Sequence, residues 1–241
     1  MDALAAATAT ANAVSTVSSH FMLDGATYKR GAELGFSGLD FYITGRGGVL
    51  GDVDADVVSA AFTFFEPGHV RTQWEAGRVV MPAALAADAF ASCGEAWAEA
   101  HVPDDLDAER LAELAGRVVA GARPACAPVF AAWRARAVPT TPKAAALHQM
   151  NALRELRNGL HGAAVVSSGL TPLEAVSLRS PHMVALFGWA EPAPTDGLQP
   201  LWDTAEASTT AAIAHAYEAL DDDERDELTA LASALHEATK G

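Results

Sequence analysis

The chain has 241 residues, half of them apolar, and its 31 acids against 16 lysines and arginines leave a formal net charge of −15. That length allows one large domain or two small ones. The charge disfavours nucleic acid and anionic membranes as partners unless a local basic patch overrides it. Aromatics are 7% and isoleucine is scarce, which argues against a large sheet, while abundant alanine favours close-packed helices.

Residues 191–241 hold 12 acids against Arg225 and Lys240, so −10 of the charge sits in the tail. Cys93 and Cys126 show neither zinc nor disulfide-scaffold spacing and fit reduced thiols in a cytoplasmic protein. No apolar run reaches the ~18 residues of a membrane span, and the Ala- and Thr-rich start lacks the basic region of a signal peptide.

Proline and glycine divide the chain into about ten helical segments. The first spans 3–22, followed by a short helix over 26–35 and a helical turn or two over 37–42. Gly45-Arg46-Gly47-Gly48-Val49-Leu50-Gly51 reads as a turn-rich loop. Its glycines suit either a plain turn or a nest of backbone N–H groups around an anion. Asp54 caps a helix over 55–65. Pro67 opens the next, which Gly77 closes, and Pro82 opens another to about residue 100.

Asp104 or Asp107 caps 108–121, Pro124 starts a helix to about 137, and Thr141-Pro142 starts a long one. Thr171-Pro172-Leu173-Glu174 is a capping box. Ser180-Pro181 opens a short helix to about Gly188, which gives the 171–189 stretch a helix-turn-helix-like outline. Its second helix, Pro181 to Phe187, is almost wholly apolar where a DNA reader needs polar and basic side chains. A Pro-rich linker over 191–197 precedes two acidic helices, 199–220 and 222–239. The expected architecture is all-α: one multi-helix body, 1–190, and an acidic helical hairpin, 191–241, packed back on it.

The long helix breaks its own pattern. At about 100° per residue from His148, an apolar arc runs from Leu156 near 80° to Leu147 near 260°. Arg157, His161 and Arg154 fall inside that arc, at about 180°, 220° and 240°. His148, Asn151 and Glu155 take the polar side. Two guanidiniums at i, i+3 with a histidine at i+4 can converge. Buried, they require a counter-charge, and arginine's fork suits carboxylate or phosphate. Glu33, Asp40, Asp52 or Glu66 could supply it from within; otherwise a small anionic or polar molecule does. Tyr42, Arg46, His20 and Trp74 are candidates for the opposite wall, and His148 for a further contact.

No metal or cofactor is expected, since no histidine pair has HxxxH spacing and no nucleophile elbow is present. Leu147-His148, then Arg154-Glu155-Leu156-Arg157, Asn158-Gly159-Leu160 and His161, resembles the hallmark of a family of uncharacterised, mostly actinobacterial all-helical proteins labelled helix-turn-helix-like. Tyr42, Gly45-Arg46 and Gly51, followed by Phe64-Phe65 and Pro67, match a second segment in the same order. The resemblance spans about residues 15–190 and implies a helical fold without a mechanism. Leu147 replaces the family's tryptophan and Leu156 its middle histidine.

The leading expectation is binding of a small anionic or polar metabolite in an internal helical pocket, with His161 as acid or base if the protein is an enzyme. A ligand-responsive helix-turn-helix regulator is the second reading. A structural or dimerisation protein, with every arginine matched internally, is the third. A homodimer is the default assembly for such a chain.

Overall fold

Short polar side chains start most of the helices by accepting hydrogen bonds from otherwise unpaired backbone N–H groups. Asp2, Asp24, Asp54 and Asp107 cap α1 (Ala3–Met22), α2 (Gly25–Glu33), α4 (Ala55–Ala61) and α7 (Ala108–Gly121). Glu66 caps α5 (Pro67–Val80). Full capping boxes open α10 (Pro172–Arg179) through Thr171 and Glu174, and α12 (Asp222–Ala238) through Asp221 and Glu224. Proline stands in the first turn of α8 (Pro128–Arg134), α9 (Pro142–Ser167) and α11 (Gln199–Tyr217), where its missing N–H costs nothing. With α3 (Asp40–Gly47) and α6 (Ala83–His101), these make twelve α-helices and no strand in the computed structural model, which describes residues 1–240.

The 26-residue α9 is the axis of the bundle, with α1, α6, α7, α8 and α11 packed around it. One continuous core joins α1 and α3–α9 to α11 and α12 through Phe21, Ile43, Phe90, Leu111, Phe130, Met150, Leu156 and Leu235. A smaller cluster of Ala164, Val165, Leu170, Ala175 and Ala205 ties the end of α9 to α10 and α11. The acidic last two helices lie on α1 and α7, with α11 also on α9. No single helix is long and apolar enough to cross a membrane.

Several local expectations need correction: α8 begins at Pro128 rather than Pro124 and ends at Arg134, and α4 stops at Ala61 rather than at 65. The Gly45–Gly51 stretch is not a loop. It is the end of α3 followed by a 3-10 turn, Gly48–Leu50. The glycines serve close helix packing: a Cβ on Gly45 would lie 2.6 Å from Cβ of Phe90 on α6, and one on Gly48 would run into the Ala83 carbonyl oxygen. Gly77 does not close α5 but lies inside it, where a Cβ would collide with Thr44 Oγ1. The segment after Ser180 is a single 3-10 turn, Pro181–Met183, followed by turns that end at Gly188 with φ +88°.

The Gly48 contact is with rigid backbone, so Gly48→Ala is expected to lower stability by about 1–3 kcal/mol, as overpacking does. Urea unfolding checks this. Gly51→Ala serves as a contrasting site, because open space surrounds it and only its positive φ (+82°) resists substitution.

Candidate functional site

Because α9 is enclosed, both of its faces meet protein. Glu155 and Asn151, expected on a solvated side, are 1% and 3% exposed. Glu155 is instead the centre of a buried ionic cluster. Arg46, itself 2% exposed, reaches across from α3 with its guanidinium flat against the carboxylate: Nε donates to Oε1 at 2.8 Å and Nη2 to Oε2 at 2.7 Å. The guanidinium also lies 4.2 Å from the Phe62 ring centre, and its Nη1 donates to Tyr42 Oη at 3.4 Å. Trp133 Nε1 donates to the Arg46 carbonyl at 3.2 Å and fixes the backbone beneath it.

Arg154 is the second cation on this carboxylate, donating from Nη1 to Oε1 of Glu155 at 2.8 Å. Burial opposes ionisation of Glu155, but Arg46 and Arg154 outweigh it and hold the carboxyl below the usual range. Burial likewise opposes the Arg46 charge, and Glu155 more than offsets it. Among the described residues Glu155 is the only carboxylate within 4 Å of either guanidinium, so the trio carries a net charge of about +1. Arg154 Nε is buried without a hydrogen-bond partner.

Arg157 and His161 do not converge on the same anion as Arg154. One turn further along α9, they meet Glu206 of α11. Arg157 Nη2 donates to Glu206 Oε2 at 2.5 Å and its Nε to Ser15 Oγ at 3.2 Å. His161 Nε2 lies 3.6 Å from Glu206 Oε1, and its Nδ1 is 3.0 Å from Thr209 Oγ1. Phe64 and Trp202 pack on the ring, leaving the side chain 12% exposed. Burial pushes the His161 pKa down to about 4, against the pull of Glu206 and with the help of Arg157. The ring is therefore neutral at pH 7. In this second cluster Arg157 and Glu206 cancel.

The carboxylates expected to serve the arginines are engaged elsewhere. Glu33 pairs with Arg30, Asp52 with Arg78, Asp40 accepts from the Ser37 N–H, and Glu66 caps α5. Glu155 escapes a wheel analysis because its face is polar. Glu206 is one acid among many in the tail, 49 residues from Arg157.

Arg154 and Tyr42 share a wall of a cavity of about 340 Å³ between α1, α3 and the 180–187 segment. Thr16, Ser19 and Ser180 also line it, the first two with their hydroxyls donating to the Asn12 and Thr16 carbonyls, and exposed His182 stands at its edge. The outer wall is stitched to the body. Glu66 N–H donates to the Phe187 carbonyl at 2.9 Å, Trp189 Nε1 to the Phe64 carbonyl at 2.9 Å, and Phe187 packs 4.2 Å from the Phe65 ring centre.

The other sequence candidates lie apart from this cavity. Trp74 is fully buried, its Nε1 donating to the Val53 carbonyl at 3.2 Å. His20 stacks on Trp97, and burial with nearby His236 lowers its pKa. His148 lies near Trp133 and Asn151, its pKa lowered by burial and then by Arg136. Trp97 also borders a cleft of about 380 Å³ between α2 and α6. Its cation, Arg30, is exposed and already paired, which creates little demand for a ligand. Among the described residues no three His, Cys, Asp or Glu side chains gather as a metal site requires.

A helix-turn-helix geometry would need a recognition helix after α10. The eight-residue α10 carries one base, Arg179, and the 3-10 turn that follows presents none but His182. A family model described as "Helix-turn-helix family" matches residues 7–192. No curated protein and no solved structure matches the chain.

Proposed function

The chain belongs to the helix-turn-helix family, and from that starting point we propose that it binds a small anionic molecule in the cavity beside Arg154 and Tyr42. The observation that carries this reading is the charge count: two guanidiniums share one carboxylate, and the one with spare donors lines a cavity. An excess charge held largely out of water is unfavourable unless something neutralises it, and the Arg154 side chain is only 15% exposed. An incoming anion supplies the acceptor that Arg154 lacks and relieves the excess. The volume falls at the lower end of the roughly 300–1,000 Å³ of small-molecule sites. The role is binding rather than catalysis, because His161 is turned toward Glu206 and Thr209 in the neighbouring cluster.

A thermal-shift screen of small anions tests this. A bound compound at about 100 times its Kd stabilises the fold by roughly 2.7 kcal/mol, a shift of several degrees. The shift is expected to vanish in Arg154→Gln, which leaves the Arg46–Glu155 pair closed, and to persist in Arg157→Gln. An equal shift in wild type and Arg154→Gln would refute the site.

A second reading is that the bound molecule controls DNA binding. The family's description and the position of the cavity wall, directly after α10, both support it. Its test is a salt titration against duplex DNA, where real contacts to phosphates give a steep loss of affinity with salt. Lack of binding at low salt removes this reading.

A further inference from the structure

We infer that the molecule taken by this cavity is an amphipathic monocarboxylate, one acidic head on an apolar tail; this rests on the anion-binding reading of the Arg154 cavity. Two features select that class. The first is charge. The Arg46–Glu155–Arg154 trio is over by one positive charge, so one carboxylate brings it to neutrality. A phosphate monoester carries about −1.5 to −2 at pH 7 and would leave an unbalanced negative charge in the same low-dielectric site.

The second feature is the rest of the wall. Away from Arg154 polar groups are few, Tyr42, Ser180 and the edge residue His182 among them, and the larger part of the wall is Met22, Leu39, Phe65, Met183, Leu186 and Phe187. These apolar side chains offer no hydrogen bonds to a second polar group. They gain from covering methylenes or a ring, and the two methionines adapt readily to the shape of a tail. The hydroxyls of Thr16 and Ser19 on the same wall already donate to the carbonyls of Asn12 and Thr16, at 2.8 and 2.5 Å, which leaves the head group to Arg154. A free small anion such as acetate would satisfy the arginine and leave the apolar wall in contact with water.

Calorimetric titration of the full chain with acetate, butanoate, hexanoate and octanoate decides the matter, with octyl phosphate, 1-octanol and inorganic phosphate as comparisons. Affinity is expected to rise about fourfold per added methylene until the cavity is filled. Octanoate is expected to bind at least about tenfold more tightly than octyl phosphate or 1-octanol, the loss of one charge-assisted contact. Arg154→Gln should remove that preference for the acid. Leu186→Ala, at a partly exposed position of the wall, should flatten the chain-length series without unfolding the protein.

Acetate or inorganic phosphate binding as tightly as octanoate would overturn the amphipathic class and leave the anion site standing. Octyl phosphate binding more tightly than octanoate would overturn the monocarboxylate head and leave the anion site standing. Binding of 1-octanol equal to octanoate, unchanged in Arg154→Gln, would overturn the anion reading itself. No binding by any of the seven compounds would overturn both.

Discussion

Glu155→Gln is expected to lower the folding free energy by about 3–5 kcal/mol, among the largest losses available from one substitution in this chain. Glutamine nearly preserves the shape but removes what is, among the described residues, the only carboxylate within 4 Å of the Arg46 and Arg154 guanidiniums. Arg46 has 2% of its surface exposed and cannot turn to solvent, so its charge would remain buried and unpaired. The neighbouring substitutions should rank below it. Arg46→Met leaves Glu155 still paired with Arg154 and fills part of the space over Phe62. Arg154→Gln leaves the bidentate Arg46–Glu155 pair intact and removes the excess charge. The predicted order of destabilisation in urea unfolding is therefore Glu155→Gln, then Arg46→Met, then Arg154→Gln. A loss from Arg154→Gln as large as that from Glu155→Gln would mean the trio is a closed structural unit with no surplus to offer a ligand.

That ranking separates two roles that look alike on the helix surface. Arg154 and Arg157 are one turn apart and similarly buried, with side chains 15% and 12% exposed. Arg157 has a carboxylate of its own, brought by α11. Arg154 shares one that Arg46 already holds in both of its oxygens. Helix spacing placed both arginines inside the bundle, yet only the count of carboxylates distinguishes a structural cation from one available to a ligand.

Most of the helical layout was legible because its signals are local. Aspartates, the Thr171–Glu174 box and first-turn prolines start helices wherever they stand, and 108–121 is bounded as its flanking residues suggest. The glycine segment was misread because glycine carries two meanings. It can break a helix, or it can let a neighbour approach, and only the presence of Phe90 and Ala83 opposite decides which. The site was half legible for a related reason. A wheel assumes one buried face, and α9 has neighbours all round, so the polar residue Glu155 became the most buried group in the cluster. Glu206 carries no local mark among the acids of the tail. The cavity needed the turn at 181–183 to be a turn rather than a helix, and the nearly continuous apolar run there gives no hint of that.

Acid should loosen the protein in two successive steps, and the first belongs to His161. Its folded pKa is about 4, below the ~6.5 of an unfolded histidine. Between those values the unfolded chain binds the proton and the folded one does not, so stability falls as pH drops through that window and is untouched above it. The slope is roughly 1.4 kcal/mol per pH unit, and the loss from His161 alone reaches about 3 kcal/mol at pH 4. His20 and His148, also lowered, add to it with the same sign. Glu155 acts later. Its carboxyl is held below its ordinary value, so its contribution is complete above about pH 4.3 and is lost only as pH falls through the depressed folded value. His161→Asn, whose amide can keep the Thr209 contact, should reduce the pH dependence between 6.5 and 4 by close to one proton and leave the step below pH 4 in place. Urea unfolding at half-unit intervals of pH measures both. An unaltered slope in His161→Asn would show that the imidazole is not excluded from protonation in the fold, and with it that the Arg157–Glu206 cluster is open to water rather than sealed by Phe64 and Trp202.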